Sequence, residues 1–194
     1  MVNKRYNGDQ KDLPNDLLTR MIRASNDGNR NLSSTEMMGL TTTNVLAGPG
    51  TTAVILRALF YHMCRNPHAY QRLQEEVDGA FNSGALSLPI RYDQASKLEY
   101  LNAAITEALR VHPATGFILE REVPSGGAEI AGTFVPAGTV VGINAWVMHA
   151  NKQVFGEDAE RFRPERWLGD DEKIREMKRC HLTVGLTRSL SFIP

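Results

Sequence analysis

Residues 40–56 read LTTTNVLAGPGTTAVIL, the middle of an uncharged run from Met37 to Leu56. Apolar and small residues carry a helical pattern through it, yet Gly48-Pro49-Gly50 stands at its centre, followed by Thr51 and Thr52. A proline inside a helix removes one backbone hydrogen bond at a cost of about 3 kcal/mol, and a glycine adds about 1 kcal/mol. A defect of that size beside hydroxyl side chains reads as a local opening that faces a ligand or water. The plainer alternative is a loop between two shorter helices. The run approaches bilayer length, but its threonines, asparagine, glycines and proline make it too polar and broken for a spanning helix. An uncharged helix of this kind is expected to be buried on all sides.

Working outward, Ser33 and Glu36 form a capping box that starts the long helix, and Asn66-Pro67 ends it and begins the next. Upstream, residues 1–31 are polar and charged, with a surface helix over residues 10–24 and a loop over ASNDGNRN. They contain no apolar signal-peptide core. Downstream, residues 67–81 predict an amphipathic helix with Tyr70, Leu73, Val77 and Phe81 on one face. A turn-rich connector and a short helix over 92–98 follow. A stronger helix over 100–111 carries Leu101, Ile105 and Leu109 as its apolar stripe and is stopped by Pro113. FILEREV, AEIAGTFV and TVVGI, between residues 117 and 143, change to short strands of an antiparallel sheet. Residues 146–150 turn helical again, and from Asn151 onward the chain is an irregular charged meander.

Of the 194 residues, 22 are basic and 22 acidic, so no net field recommends nucleic acid or an anionic membrane as a partner. Cys64 and Cys180 show neither disulfide-framework nor zinc spacing and read as structural residues in a reducing compartment. Glu107 and Arg110, three residues apart, share one helix face. Alone, they read as an ordinary exposed pair. A further arginine, Arg166, sits in FRPERW, and its planar guanidinium can bridge a carboxylate with two parallel bonds. In FILEREV, alternation places Phe117, Leu119, Arg121 and Val123 on one face. Arg121 there either pairs with a buried anion or lays its stem on the apolar surface and reaches solvent.

Three motifs in order carry a family resemblance. Glu107-Ala108-Leu109-Arg110 resembles the ExxR motif of cytochromes P450, Pro164-Glu165-Arg166-Trp167 their PERF/PERW motif, and Ala47-Gly48-Pro49-Gly50-Thr51-Thr52 the oxygen-activation motif of their long I helix. The wording is most similar to filamentous-fungal enzymes of secondary metabolism. The resemblance covers about residues 33–192 and divides the chain into a polar segment, 1–31, and a partial P450 domain, 32–194. It implies a mainly α fold with a small antiparallel sheet, the second half of the catalytic domain, truncated at the haem loop. It further implies that Glu107, Arg110 and Arg166 form a buried ion triad, that Thr51 serves proton delivery to bound dioxygen, and that Arg121 pairs with a haem propionate. Gly50 stands where the family has an acid before that threonine.

The family's haem loop, FxxGxxRxCxG, falls on Leu182 to Phe192. Gly185 and Arg188 match, whereas Leu190 occupies the cysteine position and Phe192 that of the last glycine. Leucine has no lone pair for iron. Cys180 lies outside the loop, and single histidines such as His149 and His181 read as polar residues at packing edges. The resemblance therefore implies a haem-dependent monooxygenase acting on a lipophilic small molecule with an NADPH-linked reductase, here inactive as written and with haem binding in doubt. The alternative is a non-catalytic partner of a full-length P450 or of its substrate. No membrane anchor is read in the chain, which places it in the cytoplasm, although family members are usually held at the endoplasmic reticulum membrane.

Overall fold

Ser33 and Glu36 start the long helix as a reciprocal cap. The carboxylate accepts the Ser33 N–H at 2.8 Å, and the Ser33 hydroxyl accepts the Glu36 N–H at 3.3 Å. The computed structural model describes residues 14–27 and 32–183, together with Val2 and Arg5. The order is helix α1 (Leu17–Asp27), α2 (Ser34–Arg65), α3 (Pro67–Asn82), α4 (Tyr92–Ala95), α5 (Glu99–Val111), strands β1 (Leu119–Glu122), β2 (Ala128–Ile130), β3 (Thr133–Val135), β4 (Val140–Ile143), then α6 (Ala145–His149), α7 (Lys152–Phe155), a 3₁₀ turn (Pro164–Trp167) and α8 (Asp171–Arg179). The fold is mainly helical with a small antiparallel β component. The chain divides into two units, Met1–Ala53 and Val54–Pro194.

In the first unit, Asp16 caps α1 by accepting the Thr19 N–H at 3.0 Å and pairs with Arg5. The Arg5 hydrogen bond and then the Thr19 amide bring the Asp16 carboxyl down to about 2. Helix α1 extends through Ala24–Asp27, the first half of the stretch expected as a loop, because Ser25 and Ile22 turn inward and are buried. Residues 10–13 lie outside the described residues.

Helix α2 is continuous across Pro49, neither opened nor divided into two. The threonine hydroxyls close back on their own helix: Thr51 Oγ1 donates to the Ala47 carbonyl at 3.0 Å, and Thr52 Oγ1 to that of Gly48 at 2.9 Å. The hydroxyls thereby find their partners within the helix, an arrangement that tends to bend a helix rather than stiffen it. The expectation that this helix is buried on all sides also fails, since residues 42–53 are all exposed.

In the second unit, Asn66 leads α3 with Pro67 at the first helical position, but its side-chain amide donates backward to the His62 carbonyl at 2.6 Å. Helix α3 turns Ala69 inward, with Leu73 and Val77 half-buried and Tyr70 and Phe81 exposed. Its Glu76 reaches the start of α5, where the carboxylate accepts the N–H groups of Tyr100 (2.8 Å) and Leu101 (2.9 Å). Those amides are orphan donors at a helix N-terminus, and the negative charge suits the dipole there. Glu76→Ala is expected to lower stability by about 1–2 kcal/mol, read as a shift of the urea midpoint; a shift under about 0.3 kcal/mol would refute the role.

Two hydrophobic clusters hold α5. Tyr100 and Ala104 pack with Met63 and Ala69, and Ala103 packs with Phe155, Ala159, Trp167 and Met177. The buried face of α5 is therefore Tyr100, Ala103, Ala104, Glu107, Ala108 and Arg110, while Leu101, Ile105 and Leu109 are only half-buried. The alanines let neighbouring backbone come close, and the charged residues occupy the face because they are fully paired. Strand β1 pairs with β4, Arg121 opposite Val141, and β2 pairs with β3 in a separate hairpin. AEIAGTFV is thus two strands, turned at Ala131 and Gly132, whose φ angles of 50° and 76° suit a two-residue hairpin loop. Along β1's expected apolar face, Val123 is buried, Leu119 half-buried, and Phe117 and Arg121 exposed. The charged meander contains a regular helix, α8, capped by Asp170 through the Glu172 N–H at 2.9 Å.

Candidate functional site

Helix spacing brings Glu107 and Arg110 onto one face, and that face is the interior one. Glu107 is 0 % exposed, Arg110 1 % and Arg166 5 %, so the ordinary exposed-pair reading does not hold. The pair is bidentate: Arg110 Nε donates to Glu107 Oε2 at 2.8 Å and Nη2 to Oε1 at 2.7 Å. The other Arg110 donors reach backbone carbonyls of His149 (2.7 Å), Ala159 (2.6 Å) and Arg161 (3.0 Å). All five N–H groups of the guanidinium are thereby used. A buried charge stripped of water is tolerated only when it is matched this fully.

Arg166, delivered by the 3₁₀ turn, meets Glu107 at a longer 3.4 Å through Nε. Its nearer carboxylate is Asp158, with Nη1 to Oδ1 at 2.8 Å, and it also donates to the carbonyls of Phe155 and Asp158. The Arg166 hydrogen bond holds the Asp158 carboxyl below its usual range against the effect of burial. Glu107 takes two further bonds, from the Trp167 indole at 2.9 Å and the Arg163 N–H at 3.0 Å. Trp167, Asp158 and the Arg163 amide were not legible as members of this cluster. Trp167 carried the one available signal, since a buried indole N–H needs an acceptor and it directly follows Arg166.

Beside this cluster, Tyr100 donates its hydroxyl to Glu165 at 2.8 Å and lies under Arg72, whose guanidinium carbon is 4.7 Å from the ring centroid. Glu165 therefore faces α3 and α5 while its neighbour Arg166 faces the core. The meander is held by side chains pointing in both directions.

The candidate cofactor residues are placed as follows. Arg121 lies on exposed β1, donates to the Glu120 carbonyl at 2.6 Å, and lines a pocket of about 640 Å³ with Phe117, Ile118, Leu119, Glu120 and Asn144. No ion pair of Arg121 is found among the described residues. Thr51 lies in the other unit. Leu190, Gly185, Arg188 and Phe192 fall outside the described residues. Cys180 packs against the Phe155–Trp167 cluster, and burial, then the Glu176 charge, push its thiol up, away from the thiolate that iron requires. The His149 ring nitrogens are both occupied, Nδ1 at 2.9 Å from the Arg110 carbonyl and Nε2 at 2.8 Å from the Leu182 N–H. His181 Nε2 lies 3.2 Å from the Thr106 carbonyl. No group of three or more metal-binding side chains occurs among the described residues.

Compared with known protein families, residues 1–183 match the cytochrome P450 family. The chain belongs to that family. The match begins ahead of the segment in which the motifs lie and closes at the last described residue. Among curated P450s, the chain is 42 % identical over 174 residues to cytochrome P450 monooxygenase ACRTS1 of Alternaria alternata, covering 88 % of this chain and 45 % of that protein. It is 39 % identical over 170 residues to cytochrome P450 monooxygenase cicH of Emericella nidulans, covering 88 % and 34 %. With pisatin demethylase of Fusarium vanettenii it shares 42 % over 154 residues, 79 % of this chain and 29 % of that one. The chain thus spans less than half the length of these P450 relatives.

Haem is the P450 cofactor, and its fit here is divided. Arg121 offers a cation of the kind that suits a haem carboxylate, at a pocket whose other lining is Phe117, Ile118, Leu119, Glu120 and Asn144. For its iron, Cys180 is half-buried with its thiol pushed up by burial, and the His149 nitrogens are committed to backbone groups. No helix among the described residues is long and apolar enough to cross a membrane.

Proposed function

We propose that this chain carries the scaffold of a fungal-type P450 that oxidises a lipophilic small molecule in secondary metabolism, and that as written it does not perform that oxidation. The observation that carries the reading is Leu190, which occupies the cysteine position of the haem-loop pattern running from Leu182 to Phe192. Phe192, in place of the final glycine, and Gly50, in place of the acid before Thr51, support it. In this reading Glu107, Arg110 and Arg166 keep a purely structural task, holding the meander against α5. Arg121 would meet a haem propionate, and Ala114 to Phe117 would line the pocket of the lipophilic substrate. Thr51 would be the proton-delivery residue in an active relative; here its hydroxyl donates within its own helix. An NADPH-linked reductase would be the electron source in such a relative.

The test is a reduced-minus-CO difference spectrum of the purified chain reconstituted with haem. The expected result is no thiolate-type band from the wild-type chain. Leu190→Cys is expected to add no turnover, because a P450 sulfur works only when loop amides point at it and a small residue lets the loop close. A thiolate-type band from the unaltered chain would overturn the proposal.

A further inference from the structure

His149 closes α6 at 2 % exposure, and its ring lies between two backbone groups of different elements. An amide N–H can only donate, so Nε2, 2.8 Å from the Leu182 nitrogen, must be the bare acceptor. The ring proton therefore sits on Nδ1 and is donated to the Arg110 carbonyl at 2.9 Å. That carbonyl belongs to the last turn of α5, where helix acceptors lack intrahelical partners. The neutral imidazole thus ties the end of α5 to residues 181–183, in one tautomer only. His181 stacks on it at 5.0 Å between centroids, bonded to the Thr106 carbonyl and, at 3.1 Å, to the Thr183 hydroxyl.

We propose that His149 is an acid-operated latch: its neutral ring holds residues 181–183 against α5, and a proton on Nε2 releases them. Protonation would set two N–H donors head to head across 2.8 Å with no acceptor between them. The charged groups around the ring leave no place for the new cation. From α5 come Arg110, which carries positive charge, and Glu107, already committed to Arg110 and Trp167. From the latched segment comes His181. On the α7 side stands the apolar ring of Phe155, at 6.1 Å between centroids, with Asp158 and Arg166 beyond it paired to one another. Burial chiefly, with the His181 and Arg110 charges, brings His149 down to about 4 against the opposing bond to the Arg110 carbonyl. His181 is lowered as well, again by burial. Since the latched state binds fewer protons than the released one, its advantage is complete above the ordinary histidine range and is lost as pH falls from there toward about 4.

Hydrogen exchange of the full chain, corrected for intrinsic rates, tests this. Between about pH 7 and about pH 4 the Leu182 amide is expected to lose about tenfold or more of its protection, while the α5 amides of residues 103–108 keep theirs. His149→Gln offers a side-chain oxygen near the Nε2 position that does not titrate, and it should keep Leu182 protected at both pH values. Three outcomes would overturn the latch: protection at Leu182 unchanged with pH, protection lost together with α5, or an equal loss in a folded His149→Gln chain. Should that variant not fold, nitrogen-15 spectra of the wild-type histidines decide, since the latch requires the proton on Nδ1 at neutral pH. An Nε2–H tautomer would refute it.

Discussion

Glu107→Ala is expected to destabilise the chain by about 3–5 kcal/mol, a large share of the roughly 5–15 kcal/mol that holds an ordinary domain folded. The carboxylate is the one anion that Arg110, the Trp167 indole and the Arg163 amide all face. Without it, a guanidinium 1 % exposed keeps three carbonyl partners and no counter-charge. The cost arises from stranding that charge rather than from losing an attraction. Adding Arg110→Met should therefore recover part of the loss, so that the double variant is more stable than the sum of the two single ones. Urea melts followed by near-ultraviolet circular dichroism would show both effects. A Glu107→Ala chain within about 1 kcal/mol of wild type would mean the cluster is not holding the core.

Phe155→Ala should cost about 3–5 kcal/mol by a different route, the cavity it opens. Phe155 is fully buried, and the Arg110 guanidinium carbon lies 5.2 Å from its ring centroid. Trp167 and His149 close its other sides. Phe155→Leu, which keeps most of the volume, should cost no more than about 1.5 kcal/mol beyond the lost cation–π contact. Equal melting of the alanine and leucine variants would show that the site collapses freely and that the ring is not a packing centre.

What the sequence made legible was local. Ser33 and Glu36 announced their cap, Pro67 its helix start, and three-residue spacing the Glu107–Arg110 contact. The partners of Arg110 were not legible, because the carbonyls of His149, Ala159 and Arg161 are backbone groups that any residue supplies. The inward face of α5 was misjudged for a related reason. Leu101, Ile105 and Leu109 carry the stronger apolar signal, but alanines that admit close backbone and charges that are wholly matched occupy the interior. Pro49 was read by its intrinsic cost, which the continuous α2 absorbs, with the Thr51 and Thr52 hydroxyls bonded back to the preceding turn. In α8 only Ile174 and Met177 mark an inward side among charged neighbours, too thin a stripe to separate helix from irregular meander.

The Glu107 carboxylate also sets an order of events during synthesis. Its Arg110 partner emerges three residues later, but the Arg163 amide and the Trp167 indole follow 56 and 60 residues behind. At translation rates of roughly 5–20 residues per second, that interval lasts roughly 3–12 s. For most of it, until Phe155 and Ala159 emerge, the interior face of α5 presents alanines and a half-matched ion pair with nothing from the meander to cover them. Closure of this core is thus a late, long-range step that local helix formation cannot accelerate. Nascent chains paused before Trp167 are the species a chaperone would have to hold.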